Sequence, residues 1–202
     1  SPDNKQLLAG NYLLDTDRLN DNPAYVASPA GIISEWKILT DARKNAQISK
    51  LPPIIEQALA TSSGGLIFSP DETKVLYTAT ASATLPIAIT SYLPGKNPTP
   101  EIRKLKPDNT YVYDLKEDKN FEISNFKFQI SNLKWFPSSK HLVSVTDNQI
   151  SLMEFDGSNK SVVFNGQFDK NTVFAWPNWS KLVILTTLGS TTGGENLYTV
   201  NF

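Results

Sequence analysis

Ser69-Pro70-Asp71-Glu72-Thr73-Lys74-Val75-Leu76 joins a proline, a polar turn with a lysine, and an aliphatic pair that begins five residues after the proline. The frame returns as Phe136-Pro137-Ser138-Ser139-Lys140-His141-Leu142-Val143 and as Trp176-Pro177-Asn178-Trp179-Ser180-Lys181-Leu182-Val183. A further copy opens the chain, Ser1-Pro2-Asp3-Asn4-Lys5-Gln6-Leu7-Leu8. Proline pre-sets φ for the turn and, lacking an N–H, sits where no ladder hydrogen bond is needed. The aliphatic pair then begins a strand.

Working outward from the turn, Leu133 and Trp135 alternate as an inner strand, and Leu142, Val143 and Val145 form the next. Asp147-Asn148 turns into Gln149–Phe155, Asp156-Gly157 is a strong turn signal, and Ser161 to Phe164 reads as an outer strand. Pro137 and Pro177 lie 40 residues apart, close to the roughly 40–45 residues of one four-stranded propeller blade. The expected fold is therefore all-β: a single partial β-propeller domain over 1–202 with three to four blades present. Bulky flat neighbours of the turn (Phe68, Trp135, Phe136, Phe174, Trp176) suit packing between blades.

The other spacings, 68 and 67 residues, leave room for insertions. Residues 33–63 read as a helical insertion. Ser34 is placed to cap one helix running through Trp36, Leu39 and Ala42 to about Ile48. Pro52-Pro53 starts a second, with Ile54, Ile55, Ala58 and Leu59 on one stripe and Ser62-Ser63-Gly64-Gly65 at its end. Residues 81–107, with Pro86, Pro94, Pro98, Pro100 and Pro107, read as a semi-rigid proline-rich insertion between two strands. Strands resume at Thr110–Asp114 and Phe121–Ile130.

The 202 residues are 40% hydrophobic and 19% charged, with net charge −1 and no cysteine. Near-neutral charge gives no electrostatic footprint for nucleic acid. Absent cysteine excludes disulfides, thiol catalysis and thiolate metal sites. No apolar run reaches the roughly 18 residues of a membrane helix, and the chain, which begins inside a repeat, reads as a piece of a longer protein.

The Ser-Pro-Asp turns resemble TolB-type propeller repeats of bacterial envelope proteins. Ile67–Thr80, Arg103–Asn120, Leu133–Leu142, Met153–Asn159 and Lys181–Leu185 together resemble the propeller region of PEGA-domain proteins from uncultured candidate-phyla bacteria. The resemblance covers most of the chain and is weakest over Asp15–Pro29. It implies an extracytoplasmic, membrane-anchored place in the cell envelope, with anchor and PEGA domain outside this chain. It implies no particular reaction.

Catalytic and metal chemistries find little support. His141 is the only histidine and stands at a strand start, where other copies have Gln6, Lys74 and Lys181; it reads as a surface residue. A nucleophile elbow, G-x-S-x-G, is absent, and Gly189–Gly194 reads as a hairpin tip. No phosphate-binding glycine loop is present. Asp15–Asn22 collects oxygen ligands but has Leu19 at the fifth position and lacks the loop glycine and closing glutamate of a calcium site. Asp71-Glu72 and Glu117-Asp118 read as solvated turns. Tyr111, Tyr113, Trp135, Trp176 and Tyr198 read as packing residues, whereas Trp179, inside its turn, would anchor a partner if exposed. No catalytic, cofactor-binding or metal residues are assigned, and no cofactor is expected.

The leading expectation is a non-enzymatic protein-interaction scaffold of the cell envelope, binding an unknown protein or cell-wall partner. It binds no nucleic acid and meets the membrane only through an anchor outside this chain. The alternative is a glycan- or peptide-processing enzyme, or its substrate-gating domain, using acidic residues in the propeller funnel.

Overall fold

The computed structural model describes residues 10–15, 20–91, 94–123, 132–176, 180–188 and 194–201. The chain divides into two compact units, Ser1–Ile48 and Ser49–Phe202. The Ser1–Leu8 copy of the repeat, Trp179, and the Gly189–Gly193 stretch lie outside the described residues.

In the first unit, β1 (Tyr12–Leu13) pairs antiparallel with β2 (Ala24–Tyr25). The Tyr12 and Tyr25 rings meet edge to face at 5.6 Å. The helix α1 (Ala30–Ile48) follows. It starts four residues before the expected cap at Ser34, because the Ile33 N–H already donates to the Pro29 carbonyl at 2.9 Å. Pro29, with fixed φ and no N–H to lose, is the better start, and Ser34 sits inside the helix. No residue of α1 is buried.

The second unit opens with α2 (Pro53–Ser62), whose Pro52 carbonyl accepts the first helical bonds from Ile55 and Glu56. Ile55 and Leu59, four residues apart, are fully buried, while Ile54 turns outward, 45% exposed. The helix passes without a connecting loop into β3 (Ser63–Phe68). Gly64 and Gly65, expected to end the helix, instead lie in a bulge of β3, where Gly65 has φ 152°.

Three antiparallel sheets and a small fourth make up the remainder. The first sheet has the order β3-β4-β7-β8, adding β4 (Lys74–Ala79), β7 (Thr110–Asp114) and β8 (Lys119–Glu122). Between β4 and β7 the proline-rich segment forms a two-stranded sheet from β5 (Ala83–Thr84) and β6 (Lys104–Leu105). The second sheet runs β9 (Leu133–Trp135), β10 (His141–Val145), β11 (Gln149–Glu154) and β12 (Ser161–Asn165) as neighbours in chain order. The third has β13 (Val173–Ala175), β14 (Lys181–Thr186) and β15 (Asn196–Asn201). The described chain is thus mostly β-sheet, and none of its sheets closes on itself.

The proline turn holds itself together. Ser69 is 1% exposed; its hydroxyl donates to Asp71 at 2.7 Å and accepts the Lys74 N–H at 3.0 Å. Asp71 also accepts the Thr73 N–H at 3.1 Å. Two residues after each proline, Glu72 and Ser139 take φ of 58° and 60°, a left-handed position that the turn imposes on both copies. The turns also touch: the Asp71 N–H donates to the Ser139 hydroxyl at 3.0 Å.

The aliphatic pair decides how the sheets stack. Successive side chains of a strand point to opposite faces. Val75, the first member, joins α2, Leu51, Tyr77, Tyr111 and Tyr113 in one core. Leu76, the second, joins Val112, Ile123, Leu133, Leu142 and Met153 in the core between the first and second sheets. In the next copy Leu142 faces back into that core, while Val143 faces forward with Val145, Ile150, Val173, Leu182 and Ile184. Leu182 again faces back. Every described first position packs on the preceding layer, and the second positions of the first two sheets pack on the following one.

Leu142 has no exposed surface and lies between two sheets, whereas Ile87 is 60% exposed. Leu142→Ala is expected to cost about 2–5 kcal/mol and Ile87→Ala to stay within about 0.5 kcal/mol in chemical denaturation. Equal costs would contradict the stacking assigned to the pair.

Candidate interaction surface

The inner-strand sides of the three sheets are tied by side chains that reach a neighbouring backbone. The Trp135 indole N–H donates to the Ile67 carbonyl of β3 at 2.9 Å, and Lys134 reaches the Val173 carbonyl of β13 at 3.4 Å. Between the second and third sheets this leaves a cleft of about 410 Å³. Lys134, Trp135, Phe136, Asn171 and Phe174 are among its walls, and none of the described lining residues is a carboxylate. Phe174 of β13, half exposed, and Trp176 just after that strand, 44% exposed, offer aromatic surface.

The proline-rich segment is folded back rather than protruding. Leu85 and Leu105 are buried against the first sheet. Asp118, 1% exposed, takes the backbone N–H groups of Ala88 and Ile89 at 2.8 Å each and the Tyr113 hydroxyl at 2.8 Å. Arg103 lies 3.3 Å from the same carboxylate and also donates to the Pro86 carbonyl at 2.6 Å, to Glu101 at 2.9 Å and to the Asp118 carbonyl. Beside it the Tyr77 hydroxyl donates to Asn120 at 2.8 Å, and Asn120 donates to the Ile102 carbonyl at 2.6 Å. Asn97 and Thr99 reach the second sheet, donating to Asp156 at 2.8 and 2.6 Å. The segment therefore clasps two sheets.

Burial pushes the Tyr77 and Tyr113 hydroxyls well above the tyrosine range; the Asp118 carboxylate adds to the effect at Tyr113. They stay protonated donors at neutral pH. At Asp156 burial pushes the carboxyl up, but hydrogen bonds from Ser158, Thr99 and Asn97 outweigh it, and the net shift is downward. The balance is the same at Asp71: burial raises its pKa, but bonds from Ser69 and Thr73 and the Lys74 charge bring it to about 2. No buried side-chain polar atom among the described residues lacks a partner. A fully satisfied network of this kind fixes a loop.

Of the residues singled out in the sequence, Tyr111 and Tyr113 are fully buried core, and Trp135 and Tyr198 are half-buried. His141 is a partly exposed strand residue, with Nδ1 3.1 Å from the Ser138 hydroxyl and Nε2 3.8 Å from Glu154. Glu72 pairs with Lys50. Asp118 is a correction: it is no solvated turn residue. Its φ of 50° turns the chain so that the side chain meets partners 15 to 30 residues away, which local sequence could not reveal. Of Asp15–Asn22, residues 16–19 lie outside the described residues, and Asp15 and Asn20 bond each other at 2.7 and 2.8 Å. Among the described residues no three histidine or acidic side chains stand together as metal ligands, and no helix is long and apolar enough to cross a membrane.

No protein-family model matches this chain, and the curated proteins contain no sequence match to it.

Arg103→Met would leave Asp118 buried without its charge partner and is expected to cost about 3–5 kcal/mol. Asp118→Asn added to that variant should recover part of the loss in denaturation midpoints; no recovery would show that the charge pair is not what binds the segment. Asp71 has a second, pH-dependent signature. Its folded pKa lies below the ordinary 3.8, so its contribution is complete above about 3.8 and disappears as pH falls toward 2. The stability gap between wild type and Asp71→Ala should be constant from neutral pH down to about 5 and narrow between pH 4 and 2; a gap constant through that window would remove the assignment.

Proposed function

We propose that the chain is a partial β-propeller of TolB-like blades serving as a non-enzymatic protein-interaction scaffold in the bacterial cell envelope, as the propeller part of a PEGA-domain-like protein. The observation that carries the reading is the serial stacking of antiparallel sheets, each turned the same way by the same aliphatic pair. Blades of a propeller stack in this manner, radially and in chain order. The resemblance of the repeat blocks supplies the envelope setting. A binding role is favoured by Phe174 and Trp176, which leave aromatic surface exposed on the third sheet, outside the core that it shares with the second. The partner is a protein segment or cell-wall component that packs an apolar group against these aromatic rings.

The test uses the intact chain as bait in a solubilised envelope fraction, beside a Phe174→Ser/Trp176→Ser variant of unchanged circular dichroism. Wild type should retain a defined component that the variant loses. Identical retention by both, or none by either, would sink the reading.

A further inference from the structure

The second proline turn sets a hydroxyl, an imidazole and a carboxylate in a row. Ser138 Oγ lies 3.1 Å from His141 Nδ1, and His141 Nε2 lies 3.8 Å from Glu154. His141 of β10 and Glu154 of β11 are direct cross-strand partners. The imidazole also meets the Phe136 ring edge to face at 6.2 Å, which fixes its plane. The turn itself is pinned from the first sheet by the bond of the Asp71 N–H to Ser139. Two paired strands and a pinned turn therefore hold the three side chains.

Their bonds assign the ring proton. The Ser138 hydroxyl accepts the Lys140 N–H at 3.3 Å, so its own hydrogen is left to point at Nδ1. Nδ1 then carries the lone pair and Nε2 the proton. The opposite tautomer turns a lone pair of Nε2 toward the Glu154 carboxylate, which is repulsive. The carboxylate thus selects the form in which Nδ1 can take a proton from serine, and it favours the imidazolium that results. The other described copies lack this arrangement. Lys74 and Lys181 stand where His141 does, opposite Asp114 and Asn201, and an ammonium group has no lone pair to accept a proton. At the position of Ser138 the first sheet has Asp71.

We propose that Ser138 is a nucleophile for acyl groups, with His141 as its base and Glu154 as the residue that positions the base. A hydroxyl within hydrogen-bond reach of a base that a third group orients is the arrangement that activates a nucleophile. In the step, Ser138 Oγ bonds the carbonyl carbon of an activated ester, and its proton passes to His141 Nδ1. The bond from that carbon to the leaving oxygen breaks, and the leaving group departs with the proton from Nδ1. The products are an acyl ester of Ser138 and a free alcohol or phenol. The side chains of His141 and Glu154 are 33% and 36% exposed, so the trio opens to solvent and takes a small activated ester rather than an enclosed substrate. The proposal does not rest on the scaffold reading, since Phe174 and Trp176 take no part in it.

Treatment of the intact chain with p-nitrophenyl acetate tests the proposal. Peptide mapping by mass spectrometry should find acetyl on Ser138 above the level at the exposed Ser161. His141→Gln should lower acetylation of Ser138 about 100-fold with unchanged circular dichroism. His141 is the only histidine, so the imidazole nitrogen shifts in an NMR spectrum are its own. They should place the proton on Nε2 in wild type and divide it between the two nitrogens in Glu154→Ala; an unchanged tautomer there removes Glu154 from the assignment. Acetyl no higher on Ser138 than on Ser161, or a Ser138 level that His141→Gln leaves unchanged, overturns the proposal. So does a wild-type ring proton on Nδ1. If His141→Gln does not fold, the wild-type acetyl map and tautomer decide.

Discussion

A β-strand that is apolar on both faces has no side to give to water, and this constraint governs the second unit. Each proline turn delivers two adjacent aliphatic residues to a central strand, and adjacency sends them to opposite faces. Val75-Leu76, Leu142-Val143 and Leu182-Val183 all sit at 4% exposure or less. A sheet with such a strand at its centre must be covered twice. Leu142 and Leu182 are covered by the sheet before and Leu76 and Val143 by the sheet after, which is why the layers follow chain order. On the first sheet the described cover of Val75 is helical: α2 packs Ile55 and Leu59 against it.

Much of this was legible because it is local. The turn, the alternation of Leu133 and Trp135, the Asp-Gly turn and the strands through Phe164 depend on neighbours a few residues apart. Proline and glycine announce such features directly. Two kinds of feature were not. Helix ends moved where a proline competed with a serine, so that Pro29 rather than Ser34 set the start of α1. Long-range polar contacts were invisible: Asp118 reads as one more charge in Lys116-Glu117-Asp118-Lys119, yet it is the most enclosed carboxylate described. Only the return of the chain through Arg103 and Ala88 makes that burial tolerable.

The same burial makes a cluster rich in titratable groups a structural clasp. Arg103, Asp118, Tyr113 and Tyr77 would attract notice in any search for a reactive site. Their donors and acceptors are consumed by one another and by the backbone, and the tyrosines are held protonated. A general acid or base needs an unspent bond directed at a substrate. Asp118 uses its bonds to hold a proline-rich segment that would otherwise strand Leu85 and Leu105 in water.

Order in this unit is thus created twice over, by apolar layers that fix sheet spacing and by polar clasps that fix the segments between strands. Clasps act between layers as well as within them: Ser139 with Asp71, Trp135 with Ile67, and Asp156 with Asn97 and Thr99. All three join the first sheet to the second. At the junction of the second sheet with the third the described contacts are the long one of Lys134 and the exposed Lys170–Asp147 pair, beside an open cleft. Among the described residues the first and second sheets are therefore joined by buried layers and several polar clasps, whereas the third sheet keeps its aromatic residues Phe174 and Trp176 half exposed.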